Sequence, residues 1–218
     1  MPRDTLTREQ IVSAAVTLLD DEGLEGLNMR ALGKRLGSAA TAVYWHVGSK
    51  ENLIGLAADE VWHEIGLPDP DRVGWRAAAT AMAGDLYAML LRHPWLVQAF
   101  GSYVTYGPGK ARHDDHSLAI YEAAGFTGAR ADQALAAVFT YVLGNALGPA
   151  AAAGLARRLS RDGDTADVRA QAAEVAAQFP RLRARLGTSQ TYDGEAPENS
   201  FEFGLTALLD GLTPYLPT

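Results

Sequence analysis

Cysteine is absent from this 218-residue chain, and its absence excludes disulfide bonds and thiolate chemistry. A chain without cysteine fits a reducing compartment. The first fifteen residues lack the apolar stretch of a secretory leader, so we expect a cytoplasmic protein. Runs of β-branched residues are scarce while alanine, leucine and glycine dominate, and this balance predicts helices rather than strands.

Positive charge is also in short supply, because 19 basic side chains stand against 26 acidic ones and the net charge is −7. The segment 28–50 runs against this average, since it holds Arg30, Lys34, Arg35 and Lys50 and no acidic residue. Phosphate backbones favour such a local patch. The acidic remainder predicts that nonspecific affinity for DNA is modest.

One stretch lacks charge altogether, from Gln133 to Leu155, and it is long enough to span a bilayer. Much of it is alanine and glycine, which favour lipid only weakly, and it contains Thr140, Asn145 and Pro149. We therefore predict a helix that is buried on several sides, inside the protein or between subunits.

Capping residues divide the first third of the chain into helices. Thr7 has capping-box spacing with the glutamine three residues later, and Gly23 predicts the end of this first helix. Asn28 is expected to cap a second helix and Ser49 a fourth. Between these two lies a predicted third helix of barely two turns, over about 40–46.

The second and third helices are joined by a short turn that contains Gly37, which is the signature of a helix-turn-helix. This signature is moderately specific, because many small bundles contain such a corner. The third helix begins with small residues and ends with Tyr44, Trp45 and His46. Small residues at its start allow close approach to bases in the major groove, and the ring residues and Lys50 then lie where phosphates would pass.

The run Pro68-Asp69-Pro70-Asp71 predicts a junction between this head and a larger body. A glycine and Pro149 are expected to bend or end one body helix, and Ser200 to cap the last one. The predicted body helices cover Val73–His93, Trp95–Tyr103, Lys110–Ala124, Ala131–Leu147, Ala166–Phe179 and a segment from Ser200, with a loop over Gly187–Asn199.

The N-terminal third resembles the TetR family of transcriptional regulators, and most closely the branch that includes the tetracycline repressor. The likeness runs from Arg8 to about Ala58 and is densest in Leu36-Gly37, in Val43-Tyr44-Trp45-His46-Val47 and in Lys50-Glu51-Asn52-Leu53. Beyond Leu67 the likeness is looser. The resemblance implies an all-α homodimer with an N-terminal DNA-binding head and a C-terminal body for ligand binding and dimerisation.

By position, the resemblance assigns roles to residues of the head. Small residues of the third helix would face bases, while Tyr44 and Lys50 would contact phosphates, and Arg30 would meet a phosphate or a guanine edge. The turn departs from the family pattern, since Ser38 and Ala39 stand where valine and a polar cap are usual, so Ser38 is a candidate cap. The DNA-binding candidates are Arg30, Ala40, Thr41, Ala42, Tyr44, Trp45, His46 and Lys50.

The body offers candidates for a ligand cavity and for a dimer interface. Most of its aromatic residues are ordinary core, but together they are numerous enough to line a cavity. The candidates for the cavity wall are Phe100, Tyr103, His116 and Tyr121. Apolar stripes on two helices could form a four-helix interface or pack within one subunit; they comprise Leu135, Val138, Phe139, Val142, Leu147, Phe201, Leu205, Leu208 and Leu212.

Other chemistries find little support. His113 and His116 are spaced to share a helical face, but no further metal ligand is identifiable. The segment 107–110 resembles a phosphate loop only superficially, because Val104 and Ala111 replace residues that the motif requires. No nucleophile–base pair is visible, and we expect neither an enzyme nor a cofactor.

The sequence therefore predicts an all-α protein with three parts: a helix-turn-helix domain over residues 1–48, a connecting helix over 49–66 and a ligand-binding and dimerisation domain over 67–218. Its expected function is a ligand-responsive transcriptional regulator, most simply a repressor that a small apolar or aromatic molecule releases from a palindromic operator. The alternative is a helical dimer or enzyme that binds small molecules and not DNA.

Overall fold

The side-chain caps predicted at Thr7, Asn28 and Ser49 are present in the head. Gly23 does not end the first helix as predicted, because it interrupts the helix with a φ of +70° and the helix continues to Gly26. In the computed structural model, which describes residues 6–162, 165–184 and 199–216, Thr7 accepts a hydrogen bond from the Gln10 amide (3.2 Å) and the Gln10 side chain accepts one from the Thr7 amide (2.9 Å). Asn28 and Ser49 cap their helices in the same manner. The head contains α1 (Arg8–Gly26), α2 (Met29–Arg35), α3 (Ala40–Val47) and the connecting helix α4 (Lys50–Val61), which a short 3₁₀ turn (Trp62–Glu64) extends.

The described residues of the body form helices joined by turns and short loops. Its helices are α5 (Pro70–Val73), α6 (Trp75–Arg92), α7 (Pro94–Ala99), α8 (Pro108–Ala123), α9 (Ala129–Asp162), α10 (Thr165–Ala177), α11 (Pro180–Arg183) and α12 (Ser200–Leu212), followed by a 3₁₀ turn at Thr213–Tyr215.

Four predictions for the body helices need correction. Gly74 adopts a φ of +82° and separates α5 from α6, so the helix predicted from Val73 begins at Trp75. The helix α9 continues through Pro149 to Asp162 rather than ending at 147. The helix predicted over 95–103 is shorter and ends at Ala99. Ser200 is the first residue of α12 and does not cap it, because Asn199 precedes the helix in a left-handed conformation with no side-chain cap bond. The predicted loop at 187–199 lies outside the described residues except for its last residue.

The buried core runs without interruption from the head into the body. Ile11 of α1 and Leu53 of α4 are fully buried, and Trp95 of α7 is buried where α7 packs against α1 and α9. The helices α6, α8 and α9 pack against one another, and α12 covers α6 and α9. Head and body are therefore joined by apolar contacts that α1, α4 and α7 share.

Within a single chain, only one face of helix α9 is buried against the other helices of the body. Its segment Ala129–Arg158 contains an 18-residue stretch with a mean hydropathy of 1.4, which is long and apolar enough to cross a membrane, and only 28% of that stretch is buried. Val142 and Ala146 are fully buried against the body. The opposite face, which includes Ala136 and Gly144, is exposed. The sequence predicted burial on several sides, and a single chain buries one.

Candidate DNA-binding surface and effector cavity

The corner between α2 and α3 requires glycine at position 33, because the backbone of the turn passes too close for a side chain. A Cβ atom at Gly33 would lie 2.8 Å from the carbonyl oxygen of Ser38, and the Ser38 amide donates to the Gly33 carbonyl at 2.8 Å. Gly37 turns the chain with a φ of +62°, which glycine adopts without strain. The sequence predicted the turn at Gly37 but not the close approach at Gly33.

The helix α3 presents its aromatic residues outward. Val43 and Val47 are fully packed into the head. On the other side, Tyr44 is 46% and Trp45 83% exposed, and Thr41 is exposed at the start of the helix. Such exposure of large rings on a short helix is uncommon for residues that serve only packing, so this face is available to a partner.

The N-terminus of α3 consists of small residues and has no side-chain cap. Ala40 and Ala42 are half-buried, and Ala39 precedes the helix without any side-chain cap bond. Ser38, the candidate cap, does not cap α3. The first amides of α3 therefore lack a capping side chain, and acceptor groups satisfy such amides well.

The cations of the segment 28–50 differ in their surroundings. Arg30 and Lys34 are exposed, whereas Arg35 forms an ion pair with Asp21 at 3.0 Å. The ammonium of Lys50 donates to the carbonyl of Leu24 at 3.2 Å, so it lies against the end of α1 and has further protons available. His46 is half-buried and meets the Trp45 ring edge-on, with 4.9 Å between centroids.

A carboxylate of α4 caps α8. Asp59 Oδ1 accepts from the amides of Gly109 (2.8 Å) and Lys110 (3.2 Å). A Cβ atom at Gly107 or Gly109 would lie 2.5 Å from atoms of Asp59, which explains the two glycines at the start of α8. The contact fixes the connecting helix to the body, and the sequence alone gave no partner for this aspartate.

A second polar contact joins three segments at His93, between α6 and α7. Its Nδ1 lies 2.7 Å from Asp20 of α1 and its Nε2 2.9 Å from Glu64, just after α4. Trp95 Nε1 also donates to Asp20 at 2.7 Å. Burial lowers the pKa of His93, but hydrogen bonds and charge from Asp20 and Glu64 outweigh it and hold this pKa above its ordinary value.

The cavity of the body lies between α6, α8 and α9 and has a volume of about 20 Å³, which is room for about one water molecule. Its wall is apolar except for His113, Ser117 and Tyr121. Burial raises the pKa of Tyr121, so its phenol keeps its proton. The wall consists of Ala79, Met82, Ala83, Leu86, His113, Ser117, Ile120, Tyr121, Leu135, Val138 and Phe139.

Of the four predicted wall residues, only Tyr121 lines this cavity. Phe100 packs one layer behind it, against Phe139 and Trp62. Tyr103 lies in a surface cleft between α4 and the chain that precedes α8. His116 points to the Pro68 carbonyl at 2.8 Å and so diverges from His113. Among the described residues, no three histidine, aspartate or glutamate side chains are placed to hold a metal ion.

Most of the predicted dimer stripe packs within the chain. Leu135, Val138 and Phe139 line the cavity, and Val142, Phe201 and Leu205 are buried in the core. Leu208 and Leu212 are half-buried. Of the predicted set, Leu147 alone is exposed, at 55%. Within the single chain, three of the nine residues thus line the cavity, three lie in the core and two more pack against it.

Comparisons with known proteins agree with this architecture. Residues 11–56 match the family of bacterial regulatory proteins of the tetR type, and residues 67–215 match the tetracyclin repressor-like C-terminal domain. The chain is 34% identical over 213 residues to the transcriptional repressor DrrR1 of Streptomyces coeruleorubidus, covering 97% of this chain and 78% of that one. It is 40% identical over 140 residues to a transcriptional regulator of Saccharopolyspora erythraea, covering 64% of this chain and 59% of the relative.

A solved structure extends the likeness to nearly the whole chain. The TetR family protein ActR of Streptomyces coelicolor, in complex with actinorhodin, superposes with a TM-score of 0.73 at 27% identity and covers 98% of this chain and 99% of its own. Both family models and the fold lead to one conclusion: the chain belongs to the TetR family and is a ligand-responsive, helix-turn-helix transcriptional regulator.

Proposed function

We propose that the chain acts in the cytoplasm as a homodimeric repressor without enzymatic activity, and that a small molecule bound in its body releases it from a palindromic operator. The observation that carries the proposal is the outward aromatic face of α3 on a helix whose other side is fully packed. Two such helices in one dimer would enter successive major grooves, about 34–36 Å apart. The three-part division at residues 48 and 66 is part of this proposal.

On the operator, each predicted residue has a separate task. Thr41 and the small side chains of Ala40 and Ala42 face the bases, where methyl contacts and DNA shape add to recognition. Tyr44 donates to a phosphate, and Trp45 covers the sugar next to it. His46 supports Trp45 from below, as its edge-on contact indicates.

The charged contacts position the head along the duplex. The ammonium of Lys50 donates one hydrogen bond to the Leu24 carbonyl, and its remaining protons contact a phosphate. Arg30 contacts the duplex from the start of α2. Such contacts carry little sequence information and fix the register.

For the dimer we propose the exposed faces of α9 and α12 rather than the buried stripe. On α9 this face carries Ala136, Thr140, Gly144 and Leu147, whose small members allow close approach of a second helix. On α12 it carries Phe203, which is 78% exposed. An exposed phenylalanine on a helix that packs against α9 is typical of a surface that a partner covers.

We infer that release from DNA depends on the contact between the Asp59 carboxylate of α4 and the first amides of α8. A cavity of about 20 Å³ holds no drug-sized ligand, so an effector must separate α6, α8 and α9. Movement of α8 carries Asp59 with it through the cap on Gly109, and Asp59 belongs to the helix that holds the head. The effector then acts by binding the opened state more tightly than the closed one.

Selection of bound fragments from genomic DNA, followed by fluorescence anisotropy, tests the proposal. We expect a twofold-symmetric site bound by two chains. The substitution Phe203→Glu should lower the affinity at least tenfold by preventing dimerisation, while Val104→Glu, at an 84% exposed position in a body loop, should leave it unchanged. A chain that binds small molecules but shifts no fragment at any salt concentration would contradict the proposal.

A further inference from the structure

The indole of Trp62 is a buried donor without an acceptor. The side chain is only 2% exposed, and its Nε1 is the single buried side-chain nitrogen or oxygen without a hydrogen-bond partner among the residues that the structure describes. The protein satisfies its other fully buried indole, since Trp95 donates to Asp20 at 2.7 Å. An orphaned donor of this kind weakens the closed state and is a ready partner for an incoming acceptor.

Trp62 lies between the connecting helix and the cavity. It follows Val61, the last residue of α4, without a break. Its ring contacts His113 and Phe139, with centroid distances of 4.9 and 6.5 Å, and both of these residues line the cavity. The indole is therefore one layer of side chains away from the space that an effector must open.

A second donor lies beside the indole. The side chain of Lys110 is only 12% exposed, and its ammonium lies 5.0 Å from the Trp62 centroid and 4.7 Å from that of Phe139. Asp114 is its ion-pair partner. Burial raises the pKa of Asp114, but hydrogen bonds with His113 and Lys110 outweigh it and keep this pKa below its usual range.

This arrangement discriminates between ligand charges. The aromatic faces that attract cations are already occupied by the ammonium of Lys110, so a cationic ligand would have to displace an ion-paired side chain. A ligand with an acceptor oxygen meets an unpaired N–H and, next to it, an ammonium with protons to share. The surrounding rings favour a flat aromatic body, which can stack on them.

We infer that the effector is a flat aromatic molecule without positive charge that carries a carbonyl or similar acceptor oxygen, and that Trp62 Nε1 is the donor that holds this oxygen. The inference rests on the proposed function, and it names the chemical class of the ligand and the residue through which it reaches α4. Occupation of the indole N–H transmits binding to the end of the connecting helix directly.

A pair of ring compounds that differ in one acceptor tests the inference. The titrations use the full chain without DNA and compare fluorenone, which has a carbonyl, with fluorene, which has none, by calorimetry. We expect fluorenone to bind about tenfold more tightly, the value of one hydrogen bond. In Trp62→Phe, which keeps an aromatic ring and loses the N–H, the two compounds should bind equally. Trp75→Phe, at a tryptophan that packs on Phe126, should keep the tenfold preference.

Each other result overturns the inference. Equal binding of both compounds to the natural chain shows that the N–H takes no part, and a preference that survives Trp62→Phe places the donor elsewhere. Tighter binding of the cation 9-aminoacridine, or no binding of fluorenone up to its solubility, contradicts the proposed class. Operator binding is measured separately without any compound, so its loss counts against the proposed function and not against the ligand class.

Discussion

The head and the body of this regulator differ in how far their sites are formed in the absence of a partner. The face of α3 is complete, with its aromatic residues exposed and its valines packed. The cavity of the body has a volume of only about 20 Å³. The surface proposed to read a rigid duplex is thus built in advance, while the cavity proposed to respond to a ligand retains the freedom to change shape.

The largest effect is expected from a substitution in the corner between α2 and α3, which holds the exposed face of α3 in place. Gly33→Ala places a methyl group 2.8 Å from a backbone oxygen that cannot move without opening the turn. We expect the free energy of unfolding of the head to fall by about 1–3 kcal/mol and operator binding to be lost.

Gly84→Ala is the matched control, because its Cβ would meet no atom within 4 Å and it lies inside α6. Alanine there should stabilise the body slightly. Chemical denaturation and anisotropy measure both variants, and a fully active Gly33→Ala would mean that the corner is not rigid.

The second prediction concerns the joint between the two regions, at His93. Because its pKa is raised in the folded state, protonated His93 contributes stability that is fully present at acidic pH, below its unfolded pKa, and is lost as the pH rises through the higher folded value. The free energy of unfolding should therefore fall as the pH rises above about 6.5, the ordinary pKa of a histidine. In His93→Gln this slope should be much reduced. At pH 6 the variant should be less stable by about 2 kcal/mol, since the carboxylates of Asp20 and Glu64 lose hydrogen bonds from a charged donor.

The carboxylate of Glu64 also makes stability depend on pH, but in a different pH range from His93. Its burial raises its pKa, but hydrogen bonds with Arg92 and His93 outweigh that and hold the pKa below the usual value. Its contribution is present above the unfolded pKa of a glutamate and is lost only as the pH falls through the lower folded value. A stability curve measured by denaturation at each pH distinguishes the two, and an unchanged slope in His93→Gln would assign the alkaline loss to other groups.

The same contrast explains what the sequence could predict. The caps at Thr7, Asn28 and Ser49 each depend on residues three positions apart, and all three predictions are confirmed. The aromatic end of α3 could be identified because small, apolar and aromatic residues follow one another at helical spacing. Local patterns thus describe a site that one corner of the chain builds.

The cavity could not be predicted in this way, since its wall takes residues from three helices that are distant in sequence. Leu135 and Phe139 were assigned to a dimer interface because a helical stripe does not reveal whether it faces its own subunit or another. His116 and His113 share a helix, yet His113 alone reaches the cavity. The continuation of α9 through Pro149 likewise depends on packing that outweighs the local preference of proline.

The third prediction concerns Thr41 and separates the specificity of the head for its operator from its affinity for DNA in general. Thr41 is the one hydrogen-bonding side chain among the small residues at the start of α3. Thr41→Ala should relax discrimination at one base step of each half-site by about 1–3 kcal/mol, with little change in binding to random DNA. A panel of operators with single base changes measures this effect. Thr80→Ala, on α6 with its hydroxyl bonded to Arg76 of the same helix, should leave the panel unchanged, and equal discrimination by Thr41→Ala would remove this residue from base recognition.

The smallest expected effect is at Lys50, whose ammonium donates to the Leu24 carbonyl of α1 and is proposed to contact a phosphate of the duplex. Lys50→Met should weaken binding to all DNA sequences alike and should lower the slope of log affinity against log salt by about one per subunit. Arg72→Met, at an exposed position of α5 in the body, removes the same charge far from α3 and should leave the slope unchanged. If Lys50→Met instead loses affinity with an unaltered slope, the Leu24 carbonyl is the only partner that matters, and the lysine positions the head without touching phosphate.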